Sequence, residues 1–202
     1  MINYLATQKN WQNAFSDTIT SFAELAQALD LPIDSFDSQV GQFPLKVPRR
    51  FVQKMGKGDI NDPLLKQVLP TFQETVQVTG FVTDPLDEQH ANPVKGIIHK
   101  YASRVLIPVT GACVVNCRYC FRQHFDYHEN LPTQNDWQAI SAYITAHPAV
   151  NEVILSGGDP LSLSNRRLLE IFTTLEALPQ VQTIRIHTRV PVMIPERLDE
   201  PL

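Results

Sequence analysis

Apolar and polar positions along the chain change period near residue 95. In the first half Phe22, Leu25, Ala26 and Leu29 recur three and four apart, which predicts a helix near 20–30; Ser21 and Glu24 stand at capping-box spacing and Pro32 follows the end. Pro48 opens a second short helix that Gly56 or Gly58 stops, and Asp62-Pro63 sets an N-cap before a first-turn proline for a third, ending before Pro70. Residues 79–93 mix prolines, a glycine and acids and read as a loop. Beyond it the pattern turns to short apolar runs and alternation. Strands are predicted over 104–110, 152–156 and 183–188. Between them lie two helices, one capped by Thr133 and Asp136 with Trp137, Ile140, Tyr143 and Ile144 on one face, the other starting near Ser164 with Leu168, Leu169, Phe172 and Leu175 at core spacing.

Strand, loop and helix repeated in this way argue for an α/β fold built on parallel strands, with function expected where the strands end. The predicted organisation is an N-terminal helical region, 1–95, followed by the first three β/α units of a barrel, 96–202. Three strands leave a sheet edge open, so the barrel is expected to be partial. Pro108 argues against full pairing of the first strand.

Composition narrows the function. Of 202 residues 43% are hydrophobic, enough for one substantial core, and 17 Lys+Arg against 21 Asp+Glu give a net charge of −4 with no like-charge block. That excludes a tracked phosphate backbone, so no direct nucleic-acid partner is expected. Residues 1–10 lack the basic flank and apolar core of a leader, and no run is long enough to span a bilayer. The expectation is a cytoplasmic protein without a membrane segment.

All three cysteines fall in one stretch, Cys113-Val-Val-Asn-Cys117-Arg-Tyr-Cys120, just after the first predicted strand. An odd number packed so closely makes a poor disulfide framework and points, in a reducing compartment, to a metal or to redox chemistry. Three thiolates can each take one iron of a cubane cluster, leaving the fourth iron open. The second reading is zinc, because His124 completes a local Cys3His set, although structural zinc more often draws on two separated ligand pairs. Ser156-Gly157-Gly158-Asp159 follows the second strand; its glycines allow close backbone approach to a small molecule, and Asp159 can accept from an ammonium group. Lys100, Tyr101 and Arg104 are either a solvated basic segment or the seat of an anionic cofactor. Arg122 either bridges an acid such as Asp126 or forks onto a carboxylate. The six histidines show no ligand spacing among themselves, though His187 sits at a strand end.

With these residues assembled, the chain resembles the radical S-adenosylmethionine superfamily, whose C-x3-C-x-aromatic-C signature is matched by Cys113, Cys117, Tyr119 and Cys120. Within it the likeness is to the lysine 2,3-aminomutases. It rests on the stretches 96–106, 117–125, 155–161 and 185–192, while 47–51 and 81–86 resemble the bacterial branch that makes β-lysine for elongation factor P.

The resemblance implies an isomerase that moves the amino group of L-lysine from C2 to C3 by way of a 5′-deoxyadenosyl radical. It implies a [4Fe-4S] cluster on Cys113, Cys117 and Cys120, and S-adenosylmethionine against Tyr119, Ser156, Gly157, Gly158 and Asp159, with His187 nearby. It also implies pyridoxal 5′-phosphate beside Lys100, Tyr101 and Arg104, and the lysine carboxylate on Arg122. A one-electron donor such as flavodoxin or ferredoxin is implied as partner, and the family leaves room for a homo-oligomer. The Schiff-base lysine lies later in such enzymes, so the chain is expected to be a truncated form without it, inactive alone. A zinc-stapled or catalytically dead S-adenosylmethionine-binding module is the alternative.

Overall fold

The larger of two sheets has four strands side by side, β3 (Ile98–Tyr101), β4 (Arg104–Thr110), β5 (Glu152–Gly157) and β6 (Thr183–Ile186), in that order. The computed structural model describes residues 11–36, 44–88, 90–198 and 202; the stretch 1–10, read above as lacking a leader, and residues 199–201 lie outside them. β4, β5 and β6 run parallel, with Val105 opposite Val153 and Val153 opposite Ile184. β3 pairs antiparallel to β4 through Ile98 and Leu106. Its polar sequence, Ile-His-Lys-Tyr, hides it from a periodicity reading. Pro108 sits beyond that last pairing, where β4 has only β5 beside it, so its missing N–H breaks no ladder on the β3 side.

Two helices cover one face. α4 (Asp136–Ala146) turns Trp137, Ile140 and Ile144 inward and stops at His147, before Pro148. α5 (Asn165–Glu176) is capped by Ser164 Oγ, which accepts from Arg167 N at 3.3 Å, and it buries Leu168, Ile171 and Leu175. Against them pack Val105 and Ile107 of β4 and Val153 and Leu155 of β5. Each is almost wholly buried, which at the usual transfer energies stabilises by about 1.5–3 kcal/mol per side chain. Because strand side chains alternate, Leu106, Ile154, Ser156 and His187 fall on the opposite face.

Residues 11–95 hold short elements rather than long helices. β1 (Thr18–Ile19) pairs with β2 (Val47–Pro48), and α1 (Phe22–Ala28) and α2 (Arg49–Val52) match the first two predicted helices. Ser21 makes no side-chain cap, and the Glu24 carboxylate accepts from the Arg49 guanidinium. The third predicted helix shrinks to a 3-10 turn, Leu65–Gln67, whose start is held by Asp62 Oδ1 accepting from Leu64 N and Leu65 N at 2.8 and 2.9 Å. The short α3 (Tyr127–Asn130) is capped by Asp126. One apolar cluster joins this region to the strand-end loops: Ile19, Leu25, Phe51 and Leu65 share it with Val114, Val115, Leu161, Leu168 and Met193. The core therefore runs across residue 95.

Candidate active site

The loop that carries the cysteines is fastened from outside by the N-terminal region. Asn116 N donates to Lys46 O at 2.9 Å and Arg118 N to Gln67 O at 2.8 Å. Lys46 Nζ reaches Cys113 O at 2.6 Å, and the Arg118 side chain bridges Thr71 and Glu74. From inside, the turn after β5 holds the same loop. Gly158 N donates to Thr110 O at 2.6 Å and Asp159 N to Ala112 O at 2.8 Å. This approach is what the glycines permit: Gly157 has φ +114°, and a Cβ on Gly158 would stand 2.4 Å from Ala112 O.

Asp159 is buried and fully engaged. Its Oδ1 accepts from Leu161 N at 3.0 Å and Thr188 Oγ1 at 2.6 Å, and its Oδ2 from Arg189 N at 2.6 Å and Val190 N at 3.0 Å. All four acceptor directions are used within the protein, and the carboxylate staples the loop after β6 to the turn after β5.

Arg122, too, is committed more deeply than its sequence position implied. It is buried, and it does not meet Asp126. Nε and Nη2 fork onto the buried Glu88 at 3.1 and 2.8 Å, and Nη1 donates to Ser156 Oγ at 2.7 Å. Three of its five N–H groups are thus used, leaving one on each terminal nitrogen. Glu88, from the stretch read only as a loop, had no signal in the sequence beyond its acidic surroundings.

Lys100, Tyr101 and Arg104 lie on the β3–β4 hairpin, not on a segment preceding the sheet. Lys100 Nζ meets Leu86 O, and the Arg104 guanidinium lies 5.2 Å from the Tyr101 ring centre. All three are exposed. They nevertheless line the same space as the cysteines. A cavity of about 680 Å³ runs along the open face of the sheet, past Leu106 and Ile154, from the hairpin to the loops at the strand ends. Cys113, Cys117, Cys120, Tyr119, Arg122, Ser156, Gly157, Gly158, Asp159 and His187 all border it. Such a volume is in the range of small-molecule sites, roughly 300–1,000 Å³.

Burial pushes the Cys113 thiol up to about 12, helped by the charges of Asp159 and the other two thiols and opposed by Lys46. Burial also raises Cys117, against the pull of Arg189, whose Nη1 stands 2.8 Å from Cys117 Sγ. Arg189 also lies 5.2 Å over the Tyr119 ring and donates to Gln67. It sits in the stretch 185–192 but drew no role from the sequence. For His187, burial lowers the pKa and the guanidinium groups of Arg185 and Arg122 lower it further, against the pull of Glu152, and the net lowering favours the neutral ring.

A profile of the Radical SAM superfamily matches residues 107–200, the span that holds the end of β4, all of β5 and β6, and every cysteine. The chain belongs to the radical SAM superfamily. It is 44% identical over 196 residues to the L-lysine 2,3-aminomutase of Haemophilus influenzae and 44% over 200 residues to that of Escherichia coli, alignments covering 96% and 97% of this chain. The L-lysine 2,3-aminomutase of Clostridium subterminale is 31% identical over 198 residues. The chain spans 58% of the length of the first two relatives and 47% of the third.

Radical SAM membership implies a cluster and S-adenosylmethionine, and the residues present fit them. Among the described residues no group of three or more His, Cys, Asp or Glu closes round a single ion. Thiolates on one zinc would converge to about 3.8 Å from each other, at Zn–S bonds of about 2.3 Å. A cubane asks for something else: each thiolate takes a separate iron, so the sulfurs stand round a volume. Cys113, Cys117 and Cys120 border one cavity and feel one another's charge across it. Two of them are desolvated thiols that free solution chemistry leaves protonated, and a bound metal supplies the positive charge that ionises such a group.

Proposed function

We propose that the chain forms the cluster-bearing part of an L-lysine 2,3-aminomutase, an isomerase producing β-lysine, on the bacterial branch that serves elongation factor P. The observation that carries the reading is the single cavity with three thiols at one end and the basic hairpin at the other. When bound, the cluster with S-adenosylmethionine supplies hydrogen-abstracting radical chemistry and pyridoxal 5′-phosphate carries the migrating amino group.

The chain's own residues bind, orient and exclude water. Cys113, Cys117 and Cys120 hold the cluster. Tyr119 and the turn of Ser156, Gly157 and Gly158 receive S-adenosylmethionine, where backbone is close enough to act because no Cβ intervenes; Asp159 keeps that turn in register. His187 offers a neutral ring at the same end. Lys100 and Arg104 meet the cofactor phosphate, with Tyr101 against its ring, and Arg122 uses its two remaining N–H groups on the lysine carboxylate while Glu88 and Ser156 fix its plane. Leu106 and Ile154 keep the floor between the two ends dry.

In this reading 96–202 is the first part of a β/α barrel whose inner face is the cavity, and 1–95 is a region that braces the cysteine loop. A flavodoxin- or ferredoxin-type donor would deliver the electron, in the cytoplasm. The test is anaerobic reconstitution of the chain with iron and sulfide, metal and sulfide analysis, and then incubation with dithionite and S-adenosylmethionine. The expected result is about four irons and four sulfides per chain, and release of 5′-deoxyadenosine. Zinc without sulfide would replace this reading by a zinc-stapled module. Addition of L-lysine and pyridoxal 5′-phosphate then asks whether β-lysine forms.

A further inference from the structure

Arg189 is the cationic side chain that touches a cluster thiol. Its Nη1 is 2.8 Å from Cys117 Sγ, its Nη2 donates to Gln67 Oε1, and its plane lies 5.2 Å over Tyr119. Its backbone N–H is gripped by Asp159 Oδ2 at 2.6 Å, and the next N–H, that of Val190, by the same oxygen at 3.0 Å. The guanidinium is therefore held at both ends and aimed at one sulfur by partners from the N-terminal region and from the β5 turn.

We propose that Arg189 is a tuning residue of the cluster: its hydrogen bond to the Cys117 sulfur stabilises the reduced cluster and raises its reduction potential. The physical basis is direct. A charge-assisted N–H···S bond draws electron density from the iron–sulfur bond, and the added electron makes the sulfur a stronger acceptor, so the bond is tighter in the reduced state. Hydrogen bonds to the sulfurs are among the factors that set cluster potentials. Cys113 has no such partner on its sulfur in the described contacts; Lys46 donates to its carbonyl oxygen instead. The tuning is assigned to the Cys117 ligand, and the electron a donor protein delivers is held more favourably because of it.

The inference rests on the cluster reading, and the experiment separates the two. Wild-type chain, Arg189→Met, Arg189→Lys and Gln67→Ala are reconstituted anaerobically, assayed for iron and sulfide, and titrated against potential with the reduced cluster followed by electron paramagnetic resonance. Arg189→Met is expected to keep its cluster and to show, at a fixed potential, a ten-fold lower reduced-to-oxidised ratio, about 59 mV for one electron. Arg189→Lys, which keeps the charge but not the aimed fork, is expected to fall between, and it carries the test if the methionine variant does not fold. Gln67→Ala removes the anchor that aims the guanidinium without removing the donor, and is expected to lower the potential by less than Arg189→Met does. An unchanged potential in the cluster-loaded Arg189 variants overturns the tuning role and leaves the cluster reading standing. Failure of the wild-type chain to take up iron and sulfide overturns both.

Discussion

A single methyl group at Gly158 tests how tightly the two strand-end loops are joined. A Cβ there meets Ala112 O at 2.4 Å and the carbonyl carbons of Gly111 and Ala112 at 2.7 and 2.8 Å. Ordinary contact begins near 3.4 Å, so residues 111–112 must withdraw by about 1 Å, and as backbone they have no rotamer to absorb it. Overpacking of this kind costs about 1–3 kcal/mol. The withdrawal also loosens Gly158 N to Thr110 O and Asp159 N to Ala112 O, each worth about 1 kcal/mol. A loss of about 3 kcal/mol lowers the Tm of a chain this size by about 6–12 °C. Cys113 is the next residue, so its sulfur moves as well, and iron retention is expected to weaken by about ten-fold, the size of effect that displaced ligand supports produce. The assay is thermal unfolding of the metal-free chain, followed by iron and sulfide analysis after reconstitution and desalting. A Gly158→Ala chain with wild-type Tm and a full complement of iron would refute the close approach as the feature that places Cys113.

Three further outcomes follow from the buried charges. Arg122→Ala leaves Glu88 buried without its partner and is expected to cost roughly 3–5 kcal/mol, while Arg122→Ala combined with Glu88→Ala recovers most of it; denaturant unfolding of the two variants reads the difference. Burial raises the Asp62 carboxyl, yet the N–H groups of Gly56, Leu65 and Leu64 outweigh it and hold its pKa below 3.8. Its contribution is therefore complete above pH 3.8 and disappears as pH falls through the lower folded value, and Asp62→Asn is expected to flatten that part of the stability–pH curve. Asp159→Asn puts an amide donor against backbone N–H groups and is expected to cost about 2–4 kcal/mol, seen as faster hydrogen exchange at Arg189 and Val190.

Local signals carried the strands and covering helices well. Val105, Ile107, Val153 and Leu155 alternate with cavity-facing residues, and Trp137, Ile140 and Ile144 repeat at helix spacing, so period alone located them. The cysteine loop and the glycine turn were legible because their chemistry is compressed into eight and four neighbouring residues. What stayed hidden depends on contacts between distant residues. Glu88 reaches Arg122 across 34 positions and Arg189 reaches Cys117 across 72, and no local period encodes either. The bonds of Asp159 to Thr188, Arg189 and Val190 were hidden for the same reason, since those partners stand 29 to 31 positions later. Ser21 and Glu24 had the spacing of a capping box, but Ser21 makes no cap and Glu24 meets Arg49, 25 positions away.

The bracing of the cysteine loop by residues 44–74 also bears on the order of assembly. Lys46 reaches Cys113 over 67 positions, Asn116 reaches Pro44 over 72, and Arg118 reaches Thr71 over 47. Closing segments of that length is entropically unfavourable until the contacts form, and contacts of long sequence separation are the slow ones in folding. The fastening of the thiols is complete only when residues 44–74 are docked on the strand ends, so the geometry offered to iron depends on residues that bind none of it.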